Sequence, residues 1–172
     1  MRFDKIPGHD PQGDYWQGYR WSNWYRLEDL MSRSANQGWK DEARDAEAFD
    51  ALGALYRFRV SRWRGLLYIG ETGRPLKIRF RFHWQHYEIA AKLRRSGSAT
   101  RTLAIHRLMA TLAKKFGGAG RFEVSWTNVS SLVRDDRKGV EAELLAAYRA
   151  VMGRNPNGQW GGEEEDSLEA SP

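Results

Sequence analysis

Residues 66–84 read LLYIGETGRPLKIRFRFHW, and the conformation of the second half of this stretch decides the fold. The first half is an apolar run of central-strand type that ends on Gly70. From Lys77 the pattern alternates, with Lys77, Arg79, Arg81 and His83 set against Ile78, Phe80, Phe82 and Trp84. A period of two predicts a half-buried strand over 77–84. Against that reading, Pro75 suits the first turn of a helix, and HWQHYEIAAKL (83–93) follows without a turn signal. In either conformation Arg79 and His83 share a face.

Working outward, LYRFRV (55–60) alternates Tyr56, Phe58 and Val60 with Arg57 and Arg59, the pattern of a half-buried strand. SRWRG (61–65) joins it to the 66–70 run as a hairpin loop. TLAIHRLMATLAKKF (102–116) is spaced as a helix that stops at Gly117-Gly118, and RFEVSW (121–126) is a third strand. KGVEAELLAAYRAVMG (138–153) is the clearest helix, with Val140, Leu144, Tyr148 and Val151 on one face and Gly153 after it.

Before this core, residues 1–13 form a loose leading arm with Pro7, Gly8, Pro11 and Gly13. Tyr15, Trp16, Tyr19, Trp21, Trp24 and Tyr25 then crowd into eleven residues. Trp24, Leu27, Leu30 and Met31 recur at helical spacing, with Ser22 or Asn23 as candidate cap, and a second helix is expected over 40–52. The expected fold is therefore α/β, of the α+β kind. A small antiparallel three-stranded sheet is flanked by helices over 53–160, behind a helical, aromatic-rich N-terminal extension (1–52) and ahead of an acidic disordered tail (161–172).

Composition narrows the function classes. The 172 residues are 41% hydrophobic and 13% aromatic, which are globular values. There is no cysteine, which excludes disulfides and thiolate metal sites and makes a reducing, cytoplasmic setting the expectation. No apolar run is long enough to cross a membrane, so no membrane partner is expected. The net charge of +6 hides an asymmetry: the last twelve residues hold five acids, leaving 28 basic against 17 acidic residues, or +11, over residues 1–160. A body this basic suits a polyanion, and nucleic acid is the commonest.

ALY at 54–56 and YIG at 68–70 resemble the paired signature of the GIY-YIG endonucleases, two motifs on adjoining antiparallel strands. The resemblance extends to Arg79 with His83 four residues on, and to Glu141 followed by Leu144-Leu145 and then Asn155. It covers about residues 53–160, with Ala54 standing where the family has its first glycine and Arg81 a rival for the arginine position. It implies a helix, not a strand, over 77–84. It also implies metal-dependent hydrolysis of DNA phosphodiesters, of restriction or phage-defence type. In that chemistry Glu141 holds Mg2+ or Mn2+, Arg79 grips the phosphate, Tyr56 acts as base or water-positioning group, and Tyr68 and His83 support phosphate or protons. A base role for Tyr56 needs nearby cations to lower its pKa. Arg57, Arg59, Lys77, Arg81 and Asn155 are the expected nucleic-acid contacts. A homodimer is a further expectation, since paired sites cut two strands.

Each residue also has a plainer reading. Tyr56 and Tyr68 are ordinary strand aromatics, and Glu141 is a solvated helix residue or the partner of Arg137 or Lys138, with Glu143 its rival. His86 is structural, His9 and His106 are incidental, and the N-terminal tryptophans form a satellite core before they form a base-stacking platform. Two other functions compete: a basic nucleic-acid-binding module without catalysis, and an interaction module acting through the tryptophan-rich extension.

Overall fold

The computed structural model describes residues 10–32, 49–96 and 104–159. In chain order come β1 (Tyr15–Trp16), β2 (Tyr19–Arg20), β3 (Tyr25–Arg26), α1 (Leu27–Ser32), β4 (Ala54–Val60), β5 (Tyr68–Thr72) and α2 (Leu76–Ser96). There follow α3 (Ala104–Phe116), β6 (Phe122–Asn128) and α4 (Arg134–Met152). The class is mixed α+β with antiparallel sheets. Of the helix expected over 40–52, Phe49 and Asp50 are helical and the residues before 49 lie outside the described ones. The acidic tail and His9 lie outside them as well.

The alternating segment is helical, so the period of two misleads. Leu76, Phe80, His83 and Ala90 form the buried stripe of α2, at the spacing of successive helical turns. Ile78, which a strand would bury with Phe80, is 47% exposed. Ahead of the helix, the Thr72 hydroxyl accepts the Arg74 N–H at 3.0 Å and shapes the turn out of β5.

The main sheet has four strands in the order β3-β6-β4-β5 rather than the three expected. The fourth comes from the extension: Tyr25 and Arg26 pair with Val124 and Glu123. The described part of residues 1–52 is therefore only partly helical, and it completes the sheet. Ser22 does not cap a helix there. Its backbone N–H donates to Trp126 O at 2.7 Å, and its Oγ accepts the Trp126 N–H at 3.0 Å.

Both faces of the sheet are covered. One face packs Tyr56, Phe58, Val60 and Trp126 against Leu27 and Leu30 of α1, Phe80 of α2 and Met109 of α3. The other packs Leu55 and Ile69 against Leu144 and Tyr148 of α4 and against Trp16 and Trp21 of the N-terminal ribbon. Full coverage makes β4 buried at six of its seven positions, and Arg57 is buried with the rest. Alternation in β4 separates the two faces of the strand; it does not make one of them wet.

Candidate functional site

Tyr56 of β4 and Tyr68 of β5 lie on the face covered by α2, with ring centroids 6.1 Å apart. Gly70 is what lets them meet. A Cβ at Gly70 would stand 2.6 Å from Tyr68 Cε1 and 2.7 Å from the Tyr56 hydroxyl oxygen, closer than carbon atoms approach without a bond. The glycine that ends the apolar run is thus a requirement of space.

Helix α2 delivers the next two groups, His83 from its buried stripe and Arg79 from the half-buried flank of it. Arg79 Nε donates to the Tyr56 hydroxyl at 2.8 Å. His83 Nε2 lies 3.1 Å from the same hydroxyl, and His83 Nδ1 lies 3.0 Å from Nε2 of His106 on α3. Both imidazoles are fully buried. His106, expected to be incidental, is part of this cluster. His86 is held within its own helix, Nδ1 bonded to Phe82 O at 2.9 Å.

The carboxylates come from the other side of β5. Arg137 of α4 donates from Nε to Glu71 at 3.1 Å and from Nη1 to Leu132 O at 2.6 Å. Glu141 sits one helical turn beyond Arg137, on the same face of α4. Burial, and then the neighbouring Glu71, push its carboxyl up to about 7, while Arg79 pulls it down. Glu143 is exposed on another face of the helix.

Burial sets the protonation states of the cluster. It raises the Tyr56 hydroxyl far above its ordinary value, with Tyr68 adding to the effect and Arg79 opposing it. It raises Tyr68 too, helped by Glu141. The cations beside Tyr56 therefore do not lower its pKa as a free-standing base needs. Burial also holds His83 well below its usual value and His106 at about 4, so both are neutral near pH 7. For Arg79, burial works against the charge, and the phenol oxygens of Tyr56 and Tyr68 more than offset it. The result is one secure cation amid neutral donors, facing a carboxylate that ionises near neutrality.

Beside Arg79 opens a cleft of about 510 Å³, with Glu71, Gly73, Arg74, Arg79, Arg81 and Gln85 among its walls. Arg81 and Arg74 are exposed at its rim. Lys77, also exposed, pairs with Asp50 at 2.7 Å. Surface pairs of this kind contribute little and exchange readily, at ~0–1 kcal/mol.

Two expected nucleic-acid contacts are elsewhere. Arg57 and Arg59 project to the opposite face of the sheet, beneath the N-terminal segment. Arg57 is wholly buried; it donates to Pro11 O, to Gly13 O at 2.7 Å and to Ser125 Oγ, and lies 4.3 Å from the Trp21 ring centroid. Burial draws its pKa down to about 9. Arg59 is paired with Glu123 at 2.7 Å and stacked 4.1 Å from the centroid of Trp24. Neither is free to meet a phosphate. Asn155 is half-buried in the segment after α4, without a described bond to the cluster. Trp16 and Trp21 are 0% and 1% exposed, which removes them as a docking or base-stacking surface.

Sequence reasoning passed over Glu71, Arg74 and His106. Glu71 and Arg74 border the glycines of YIGETGR, Glu71 near the end of β5 and Arg74 in the turn after it, where strand register and turn geometry bring them to the cleft. His106 sits in the apolar stripe with Ile105 and Met109, and an imidazole in such a stripe is the signal that was available.

Among the described residues no group of three or more His, Asp or Glu side chains forms a closed metal site. Glu141 beside Glu71 fits a sparser arrangement, in which one or two carboxylates hold a hard divalent cation and water and substrate oxygens complete the shell. A carboxylate whose ionisation is opposed by burial and by a second carboxylate gains from such a cation. Comparison with protein-family models, with curated proteins and with solved structures finds no match in any of the three.

Proposed function

We propose that this protein is a GIY-YIG-type endonuclease that hydrolyses DNA phosphodiester bonds with the help of a divalent cation. One observation carries the reading. Five residues implied by a resemblance in sequence come from two strands and two helices and interact: Tyr56 bonds Arg79 and His83, Tyr68 and Glu141 lie within the electrostatic reach of Arg79, and Arg79 lines the basic cleft.

Arg79 spends Nε–H on Tyr56 and keeps further N–H groups for two oxygens of a phosphate, a fork that suits charge growing in a phosphorane. Arg81 and Arg74 at the rim bind flanking phosphates. Glu141, with Glu71 alongside, would hold Mg2+ or Mn2+, which supplies Lewis acidity when bound. Tyr56 takes a proton from the attacking water as its own passes to His83 Nε2, 3.1 Å away. Tyr56 thus works through His83, since it does not ionise by itself at neutral pH.

The test is nicking of supercoiled plasmid with Mg2+, with Mn2+ and with a chelator. Cleavage that needs the cation is the expected result. Tight DNA binding without cleavage under every cation would select the binding module instead.

Salt dependence checks the face. With Arg74, Lys77, Arg79 and Arg81 as phosphate contacts, log affinity measured in Ca2+ should fall against log salt with a slope of about −3 to −4. Arg81→Ala should reduce that slope by about 1, and Arg59→Ala should leave it unchanged. The reverse outcome would move the DNA to the opposite face of the sheet.

A further inference from the structure

Behind Tyr56 lies a line of buried hydrogen bonds whose last member, His106, has no role in the chemistry above. Arg79 Nε meets the Tyr56 hydroxyl at 2.8 Å, the hydroxyl meets His83 Nε2 at 3.1 Å, and His83 Nδ1 meets His106 Nε2 at 3.0 Å. The direction of this chain follows from the proposed chemistry, in which Tyr56 passes its proton to His83. A guanidinium donates and cannot accept. Tyr56 oxygen takes the Arg79 N–H, and for the tyrosine proton to pass to His83 Nε2 that nitrogen must be bare. A neutral imidazole with Nε2 bare carries its proton on Nδ1, and His106 Nε2 is the acceptor in reach.

That direction has a cost, and the cost is visible. It leaves the proton of His106 on Nδ1, a buried atom without a hydrogen-bond partner among the described residues. An unpaired buried N–H is retained where its surroundings force it. The opposite direction would leave that Nδ1 bare instead, but it would put a proton on His83 Nε2 and close that nitrogen to the tyrosine proton. His83 is fully buried among Tyr56, Phe58, Tyr68 and Phe82, surroundings that cannot solvate an imidazolium. When His83 takes the tyrosine proton, both of its N–H groups need acceptors. Tyr56 oxygen answers one, and His106 Nε2 answers the other.

We infer that His106 is a positioning residue of the proposed nuclease site: by accepting the Nδ1–H of His83 it fixes the His83 ring and tautomer, so that bare Nε2 faces Tyr56 and the imidazolium formed there is satisfied. The inference rests on the nuclease reading for the direction of the chain and for its consequence, and on the hydrogen-bond distances for its geometry. His106 touches neither substrate nor cation; it acts through His83.

Two measurements separate those parts. In wild-type protein labelled with 15N at histidine, long-range 1H–15N correlation should find His83 protonated at Nδ1 and bare at Nε2 without any substrate. The opposite tautomer overturns the inference whether or not the protein cuts DNA. In cleavage assays His106→Phe should lower kcat by roughly 10- to 100-fold with KM little changed, the scale on which an outer partner of an oriented histidine acts. His106→Gln places an amide oxygen within reach of His83 Nδ1 and should restore most of that loss, which a merely space-filling role does not explain. A His106→Phe protein with full kcat beside an inactive His83→Phe protein also overturns it. Should His106→Phe fail to fold, the wild-type tautomer and the Gln variant still decide. Absence of nuclease activity in the wild type, with the tautomer as stated, would sink the nuclease reading and leave the chain standing.

Discussion

Glu141→Ala protein is expected to bind DNA with near wild-type affinity and to cleave it about a thousandfold more slowly, or not at all. Glu141 is the carboxylate that α4 turns toward β5, beside Glu71 and within the field of Arg79, whereas Glu143 on the same helix faces water. Active Glu141→Ala beside inactive Glu143→Ala would show that the wrong carboxylate has been assigned. The raised pKa adds a second expectation. Without a cation the folded protein holds the Glu141 proton up to about pH 7, while the ordinary value is 4.5. Between those values the folded state binds more protons than the unfolded one, so stability falls as pH rises through that window and stays low above it. Glu141→Gln removes this loss. In chelator at pH 8 it should melt above the wild type, and at pH 4.5 the two should converge. Wild-type cleavage at limiting cation should rise through about pH 7 as the carboxylate opens to metal.

Removing residues 1–50 is expected to abolish the folded state. The deletion takes Leu27, Leu30 and Phe49 from one core and Trp16 and Trp21 from the other, five side chains between 0% and 8% exposed. At roughly 1.5–3 kcal/mol each, their burial contributes on the order of 10 kcal/mol, which matches the whole stability of a typical domain. It also strips β3 from β6 and uncovers Arg57. Light scattering and circular dichroism of a chain beginning at Ala51 should report an aggregated species without a cooperative melt. A monodisperse fragment that melts cooperatively would show that the N-terminal segment is dispensable. Arg57→Ala is the milder version, expected to cost ~3 kcal/mol or more, because it orphans the carbonyls of Pro11 and Gly13 under the ribbon.

Local pattern carried much of the fold. The hairpin of β4 and β5, strand β6 and helices α3 and α4 follow from apolar spacing and glycine stops, because each buries its face according to its own period. The failures are nonlocal. Tyr25 stands beside Trp24 in an extension that reads as helical, yet it belongs to a strand whose partner, Val124, is remote in sequence. Arg57 and Arg59 read as a wet face because alternation reveals two faces and cannot reveal what covers them. The helix after Gly70 was hinted at by Pro75 and by the absence of a turn signal after His83, but only the resemblance decided for it, since Lys77–Trp84 alternates as a strand does. For the candidate site, Tyr56, Tyr68, Arg79, His83 and Glu141 were nameable from motif spacing. Glu71 and His106 were not, since each matters through the neighbour it meets: Arg137 and Glu141 for one, His83 for the other.

The pairing of β3 with β6 also bears on how the chain is made. Ser22 and Ser125 are 103 residues apart, and their bonds join the beginning of the protein to its last strand. A ribosome adding roughly 5–20 residues per second needs about 5–20 s to deliver the second partner after the first has emerged. Through that interval β4 and β5 emerge, but β3 has no strand to pair with and Arg57 lacks the Ser125 hydroxyl that it will meet. The docking of β3 is therefore a late event in the birth of each molecule, after the β4–β5 hairpin that the same N-terminal segment covers.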